Sequence, residues 1–90
     1  MKANLRAAVF ARDTNCAVCT QQTSEQDAAH HRKLRSQGGE DSLENLVGLH
    51  HSCHQYVHAN PAWSYDMGLM VHEWDDPAEV AIIIEPGDAF

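Results

Sequence analysis

Apolar positions near the start of the chain recur at helical spacing. Leu5, Ala8 and Val9 lie on one side, with Arg12 a turn further on, so "ANLRAAVFARD" (3–13) predicts a short amphipathic helix. "CAVC" (16–19) reads as a tight turn, and the uniformly polar "TQQTSEQD" (20–27) as a loop. "AAHH" (28–31) predicts a short strand ending in a histidine pair. "RSQGGEDS" (35–42) is the segment richest in structure breakers, and its adjacent glycines Gly38 and Gly39 suit positive φ. Asp41 followed by Glu44 resembles a capping box for one helical turn through "SLENL", and "LVGL" (46–49) has the character of a second short strand. A helix is expected from Ser52 to Ala59, stopped by Asn60-Pro61, where His54 and His58 share one face a turn apart. Pro61 at a first helical position and Gly68 past an end predict another short helix, "PAWSYDM". "LMVHEW" and "AEVAIIIE", parted by "DDP", read as a β-hairpin. The class is therefore α+β. With no repeat, low-complexity tract or linker, residues 1–90 are expected to form one domain.

Length changes how this pattern is read. A chain of 90 residues buries only about 60 to 65% of its unfolded surface, so the core is marginal and a staple is expected. Three cysteines, Cys16, Cys19 and Cys53, cannot all pair within one chain. The opening "MKANLRAAVFARDTNC" is broken by Lys2, Arg6, Arg12 and Asp13 and does not read as an apolar leader. Both observations point to a reducing cytoplasm and to a metal staple rather than disulfides. The longest apolar run is "VAIII" (80–84), far short of the roughly 20 residues of a membrane span, so no membrane association is expected.

The net charge of -7 argues against a nucleic-acid partner until its distribution is considered. Residues 1–59 are balanced, and the whole deficit lies after residue 60, in Asp66, Glu73, Asp75, Asp76, Glu79, Glu85 and Asp88. Half of the basic residues sit within "HRKLR" (31–35), a local patch able to meet phosphate with weak overall steering.

Two constellations carry chemistry. Cys16-x-x-Cys19 and, some thirty residues on, His50-x-x-Cys53 are two matched knuckles that can close a tetrahedral zinc site. A lone CxxC would read as a redox pair, but a third cysteine stands in a matching knuckle and no βαβ pattern surrounds the first. His51 could replace His50 through an H-x-C knuckle; the equal spacing of the two turns favours His50. His30, His31, Asn45, His54 and His58 form the second set. His54 and His58 are half of a metal site, and strand neighbours His30 and His31 point to opposite sides, one as a ligand and one as a free base.

In "CAVC", "HHRKLRSQGGEDSLENLVGL" and "CHQYVH" the chain resembles the HNH endonucleases, with their ββα-metal fold, over roughly residues 6–60. Residues 61–90 would then be a C-terminal helix and hairpin extension, more weakly similar to small phage-encoded members. The resemblance implies a general base at His31, a metal ligand at His30 and a central Asn at Asn45, which in some members braces the loop of the base and in others binds metal. It also implies metal ligands at His54 and His58 and structural zinc on Cys16, Cys19 and Cys53. The commoner family pattern has cysteine where His50 stands. His51 is then a spare, and His72 has no assigned partner. Trp63, Tyr65 and Trp74 read as a satellite core of the C-terminal segment.

The leading expectation is thus a monomeric, metal-dependent endonuclease hydrolysing DNA phosphodiesters, nicking or cutting duplex with little sequence preference. It would carry a structural Zn²⁺ and a catalytic Mg²⁺, Mn²⁺, Ni²⁺ or Zn²⁺. Arg32, Lys33 and Arg35 would be the foremost phosphate contacts, with Arg6 and Arg12 behind them. The rival is a non-catalytic zinc module that binds nucleic acid or protein. A third reading is an accessory of phage DNA packaging that nicks beside a terminase.

Overall fold

A computed structural model describes residues 2–84. Its elements are α1 (Ala3–Arg12), β1 (Ala28–His31), β2 (Leu46–Leu49), α2 (His51–Ala59) and α3 (Pro61–Asp66), with single 3₁₀ turns at Arg35–Gln37 and Pro77–Glu79. β1 and β2 pair antiparallel, with Ala28 opposite Leu49, Ala29 opposite Gly48, His30 opposite Val47 and His31 opposite Leu46. Every residue of β2 is buried, because both of its faces are covered. Leu46 packs with Val9 and Phe10 of α1 on one side. Val47 and Leu49, two apart and therefore on the other side, join Cys53 and Val57 of α2 together with Met67, Leu69 and Met70. That second core also contains Cys16, Ala17 and Val18, so the cysteine knuckle is part of the apolar interior.

The loop between the strands departs from the expected chemistry in one detail. Gly38 takes a left-handed φ of 85°, whereas Gly39 does not have positive φ. Gly39 is required by proximity instead: a Cβ there would lie 1.8 Å from the Lys33 carbonyl oxygen. The segment "SLENL" forms a hydrogen-bonded turn in which the amides of Asn45 and Leu46 both donate to the Ser42 carbonyl.

The C-terminal hairpin is not formed: among the described residues no strand follows Leu49. Leu69, Met70 and Val71 are buried consecutively rather than alternately, so this run is interior chain and not one face of a sheet. Its backbone groups are taken elsewhere, the amides of Leu69 and Met70 by the Ser64 carbonyl and that of Val71 by the Arg32 carbonyl. The second half of the expected hairpin runs back beside the end of α3 instead, with the Ile83 amide donating to the Met67 carbonyl and Ala81 against Gly68; its last residue, Glu85, lies outside the described residues. Trp74 is likewise not core. It is 76% exposed and stacks on His72, which stacks in turn on Tyr65, with centroid separations of 4.5 and 4.2 Å.

Candidate metal centres and catalytic site

The two knuckles meet. In the first, the Thr20 amide donates to the Cys16 carbonyl at 2.9 Å and the Cys16 amide to the Gln21 carbonyl at 2.8 Å. Thr20 at φ 67° supplies the left-handed residue that closes this turn. In the second, His50 is the residue that opens α2 and Cys53 lies in its first turn. Cys16, Cys19, His50 and Cys53 bring one ligand atom each within 4.8 Å of all the others. His50 Nε2 donates to the Gln22 carbonyl at 2.8 Å, which leaves the lone pair of Nδ1 facing Cys19 Sγ at 3.0 Å. His51, the alternative fourth member, stands apart with its Nε2 against the Gln26 carbonyl.

The thiols are crowded. Burial, followed by the proximity of Cys16 and Cys19, pushes Cys53 up to about 12. Cys19 is held below the ordinary thiol value although burial opposes it, because the Gln21 backbone, His50 and both neighbouring thiols bond its sulfur. Three sulfurs so placed can all ionise together only around a cation. The donor set of three thiols and one imidazole fits zinc, and the four residues could hold a structural zinc ion.

α2 serves a second cluster through the adjacent turn of its surface. His54 and His58, one turn apart, place their Nε2 atoms 3.1 Å from each other. His30, on the β1 face that packs under α2, completes a triangle with ring centroids 5.0 Å from His54 and 5.4 Å from His58. The three offer one nitrogen each within 4.8 Å of the others. His30 is 1% exposed; its Nε2 meets the Leu69 carbonyl at 2.7 Å, whereas its Nδ1 is buried without a hydrogen-bond partner among the described residues. A carbonyl only accepts, so Nε2 carries the proton and Nδ1 presents an unused lone pair. An orphaned buried acceptor beside two further imidazoles fits a divalent ion, since a buried polar atom without a partner is otherwise costly. Burial, opposed by the Leu69 bond and reinforced by His54, lowers His30 to about 4. Burial and then His58 lower His54 in the same direction. Both rings are therefore neutral at physiological pH, the form that binds metal.

His31 points to the opposite side of β1, as strand alternation requires. Its Nε2 lies 2.7 Å from Asp41 Oδ1, and Arg35 bridges both oxygens of the same carboxylate at 3.1 Å. The His31 bond, then Arg35, hold Asp41 below the usual carboxylate range. Sequence reading missed Asp41 as a partner of His31 and saw it only as a helix cap; its signal was an acidic residue two places after the glycine pair in the loop that follows His31. Asn45 is 1% exposed and stands outside the histidine triangle. Its Oδ1 accepts from the Lys33 amide at 2.7 Å, and its Nδ2 donates to the carbonyls of Lys33 and Glu40 at 3.0 Å, so it ties both ends of the loop that follows His31.

The basic residues are largely committed within the fold. Arg32, expected to contact phosphate, is 3% exposed, and its guanidinium donates to the carbonyls of Gly68, Glu44, Pro77 and Val80. It cannot reach a ligand from there. Arg12 forks to Asp13 and also donates to the carbonyls of Leu43 and Leu46, and Arg6 donates to those of Glu25 and Asp27. Arg35 remains 63% exposed at its side chain. The Lys33 ammonium has no hydrogen-bond or ion-pair partner among the described residues.

A model of the HNH endonuclease family matches residues 16–60, half of the 90-residue chain, and that span contains both clusters except the Leu69 carbonyl. The chain belongs to the HNH endonuclease family. Membership assigns it a nuclease-type function in general terms. Comparison with curated proteins and with solved structures returned no match. Among the described residues of this HNH protein no helix is long and apolar enough to cross a membrane.

Proposed function

We propose that this HNH protein is a metal-dependent endonuclease that hydrolyses DNA phosphodiesters with little sequence preference. His31 is the general base. Its Nε2 proton is held by Asp41 Oδ1, so Nδ1 is the nitrogen free to take a proton from an attacking water. Asn45 holds the loop after His31 in place, and Arg35, tied to Asp41, stands beside the base where a phosphate would arrive. His30, His54 and His58 hold the second ion, which when bound would neutralise charge on the scissile phosphate and the leaving oxygen. All three ligands are imidazoles, a set that favours Mn²⁺, Ni²⁺ or Zn²⁺ over Mg²⁺ on affinity. Cys16, Cys19, His50 and Cys53 serve structure alone. The observation that supports this reading best is the division at the end of β1, where adjacent histidines face opposite ways, one into a ligand triangle and one onto a carboxylate.

Two variants separate this reading from a non-catalytic zinc module. His31→Ala removes a proton acceptor, so fold, structural zinc and DNA binding persist while plasmid nicking falls roughly 100- to 10,000-fold. His54→Ala removes a ligand, so its loss is partly recovered by raising the metal concentration. Wild-type nicking rates in both variants, at the same added metal, would leave the zinc-module reading standing instead.

A further inference from the structure

Arg32 is two residues past His30, yet its side chain leaves the sheet and organises a stretch of chain that lies outside the family match. Its Nε donates to the Gly68 carbonyl at 2.7 Å, and its own carbonyl accepts from the Val71 amide at 3.1 Å. Leu69 lies between these two attachments. Gly68 allows the turn between α3 and this stretch, with φ 76° and no space for a Cβ, which would lie 2.2 Å from the Ala81 carbonyl oxygen. On the far side, the same guanidinium holds the Pro77 and Val80 carbonyls, which ties residues 77–80 to the stretch after α3. The Leu69 carbonyl is thereby fixed at 2.7 Å from His30 Nε2.

A ligand histidine is oriented by the bond its other nitrogen makes, and losing that partner usually costs about 10- to 100-fold in metal affinity. The zinc knuckle uses the same device, with His50 Nε2 on the Gln22 carbonyl and Nδ1 facing the thiols. We propose that Arg32 is a positioning residue for the histidine centre: by clamping residues 68–71 it holds the Leu69 carbonyl on His30 Nε2 and so fixes Nδ1 as the atom offered to the ion. The segment after α3 is therefore a working part of the metal centre. This rests on the His30, His54, His58 assignment made above.

The test uses the full chain carrying its structural zinc, titrated calorimetrically with Ni²⁺ or Mn²⁺ alone. Arg32→Lys keeps the charge and loses the planar fork. It is expected to weaken the second site about 10- to 100-fold while one zinc per chain and the helical signal remain. A second measurement needs no variant: long-range proton–nitrogen NMR correlation of the zinc-loaded wild type is expected to find His30 protonated on Nε2, with that proton protected from exchange. A folded Arg32→Lys protein with the wild-type affinity would overturn the clamp alone, as would a wild-type His30 protonated on Nδ1 or exchanging between tautomers. If Arg32→Lys does not fold, the wild-type tautomer decides. Failure of the wild type itself to take a second ion would overturn the ion centre, and the clamp with it.

Discussion

His30 and His31 are the same residue type at consecutive positions, and their environments separate them completely. Burial beneath α2 makes His30 neutral; contact with Asp41 holds a proton on one face of His31. The state of His30 is open to direct measurement. Its value, lowered to about 4, lies below the unfolded value near 6.5, so between these limits the unfolded chain binds more protons than the folded one. Stability contributed through His30 is therefore fully present above pH about 6.5 and declines as pH falls towards 4, by up to about 3 kcal/mol in all. In protein free of second-site metal, the His30 Cε1 proton should titrate close to pH 4 in an NMR series, whereas an ordinary midpoint near 6.5 would mean that the ring is not sealed under α2.

At the scale of elements, α2 joins the two centres. Cys53 and Val57 face the core, and His54 and His58, displaced around the same helix, face His30. Disturbing the Cys16, Cys19, His50, Cys53 cluster should accordingly unfold the face that carries the histidine triangle. Cys53→Ala, or prolonged exposure to a strong chelator, is expected to abolish the cooperative thermal transition, since metal binding in so small a domain is largely its folding free energy. A folded, zinc-free Cys53→Ala protein, seen by circular dichroism and metal analysis, would separate the site from the fold.

The same elements explain what could be read from sequence. α1, β1, β2, α2 and α3 were legible because their signals are local: helical spacing of Leu5 and Val9, short runs such as "AAHH" and "LVGL", and the stop at Asn60-Pro61. The pairs Cys16/Cys19, His50/Cys53 and His54/His58 were legible for the same reason, through x-x and i,i+4 spacings, whereas His30 was read from its place beside His31 on the strand and from the family resemblance. The segment after α3 was not. "LMVHEW" has strand-like composition, but its backbone is held by residues more than thirty positions earlier, the Val71 amide by the Arg32 carbonyl and the Leu69 carbonyl by His30, while the Arg32 guanidinium takes the flanking carbonyls of Gly68 and Pro77. Arg32 was misread by the mirror image of that error: adjacency to His31 says nothing about whether a side chain meets solvent or the interior.

For the whole molecule, the proposed function raises the question of how an acidic protein would meet a polyanion. No Lys or Arg follows Arg35, and Asp66, Glu73, Asp75, Asp76 and Glu79 all lie beyond it. Of the six basic residues, Arg32 is sealed inside, and Arg6 and Arg12 are engaged by backbone carbonyls. That leaves Lys33 and Arg35 in the loop after His31, the proposed base, with Lys2 exposed at the start of α1. Each phosphate neutralised adds about 0.9 to the slope of log affinity against log salt, so about two or three contacts predict a slope of only −2 to −3 on duplex DNA. Binding should be correspondingly weak without second-site metal and should tighten when Mn²⁺ or Ni²⁺ is added, because an ion on His30, His54 and His58 is a cationic contact that the side chains do not otherwise supply. Filter-binding or anisotropy titrations over a range of salt, with and without the ion, measure both. A slope of about −5 would mean that Arg6 and Arg12 leave their carbonyls to reach DNA, and one of about −10 that two or more copies bind together.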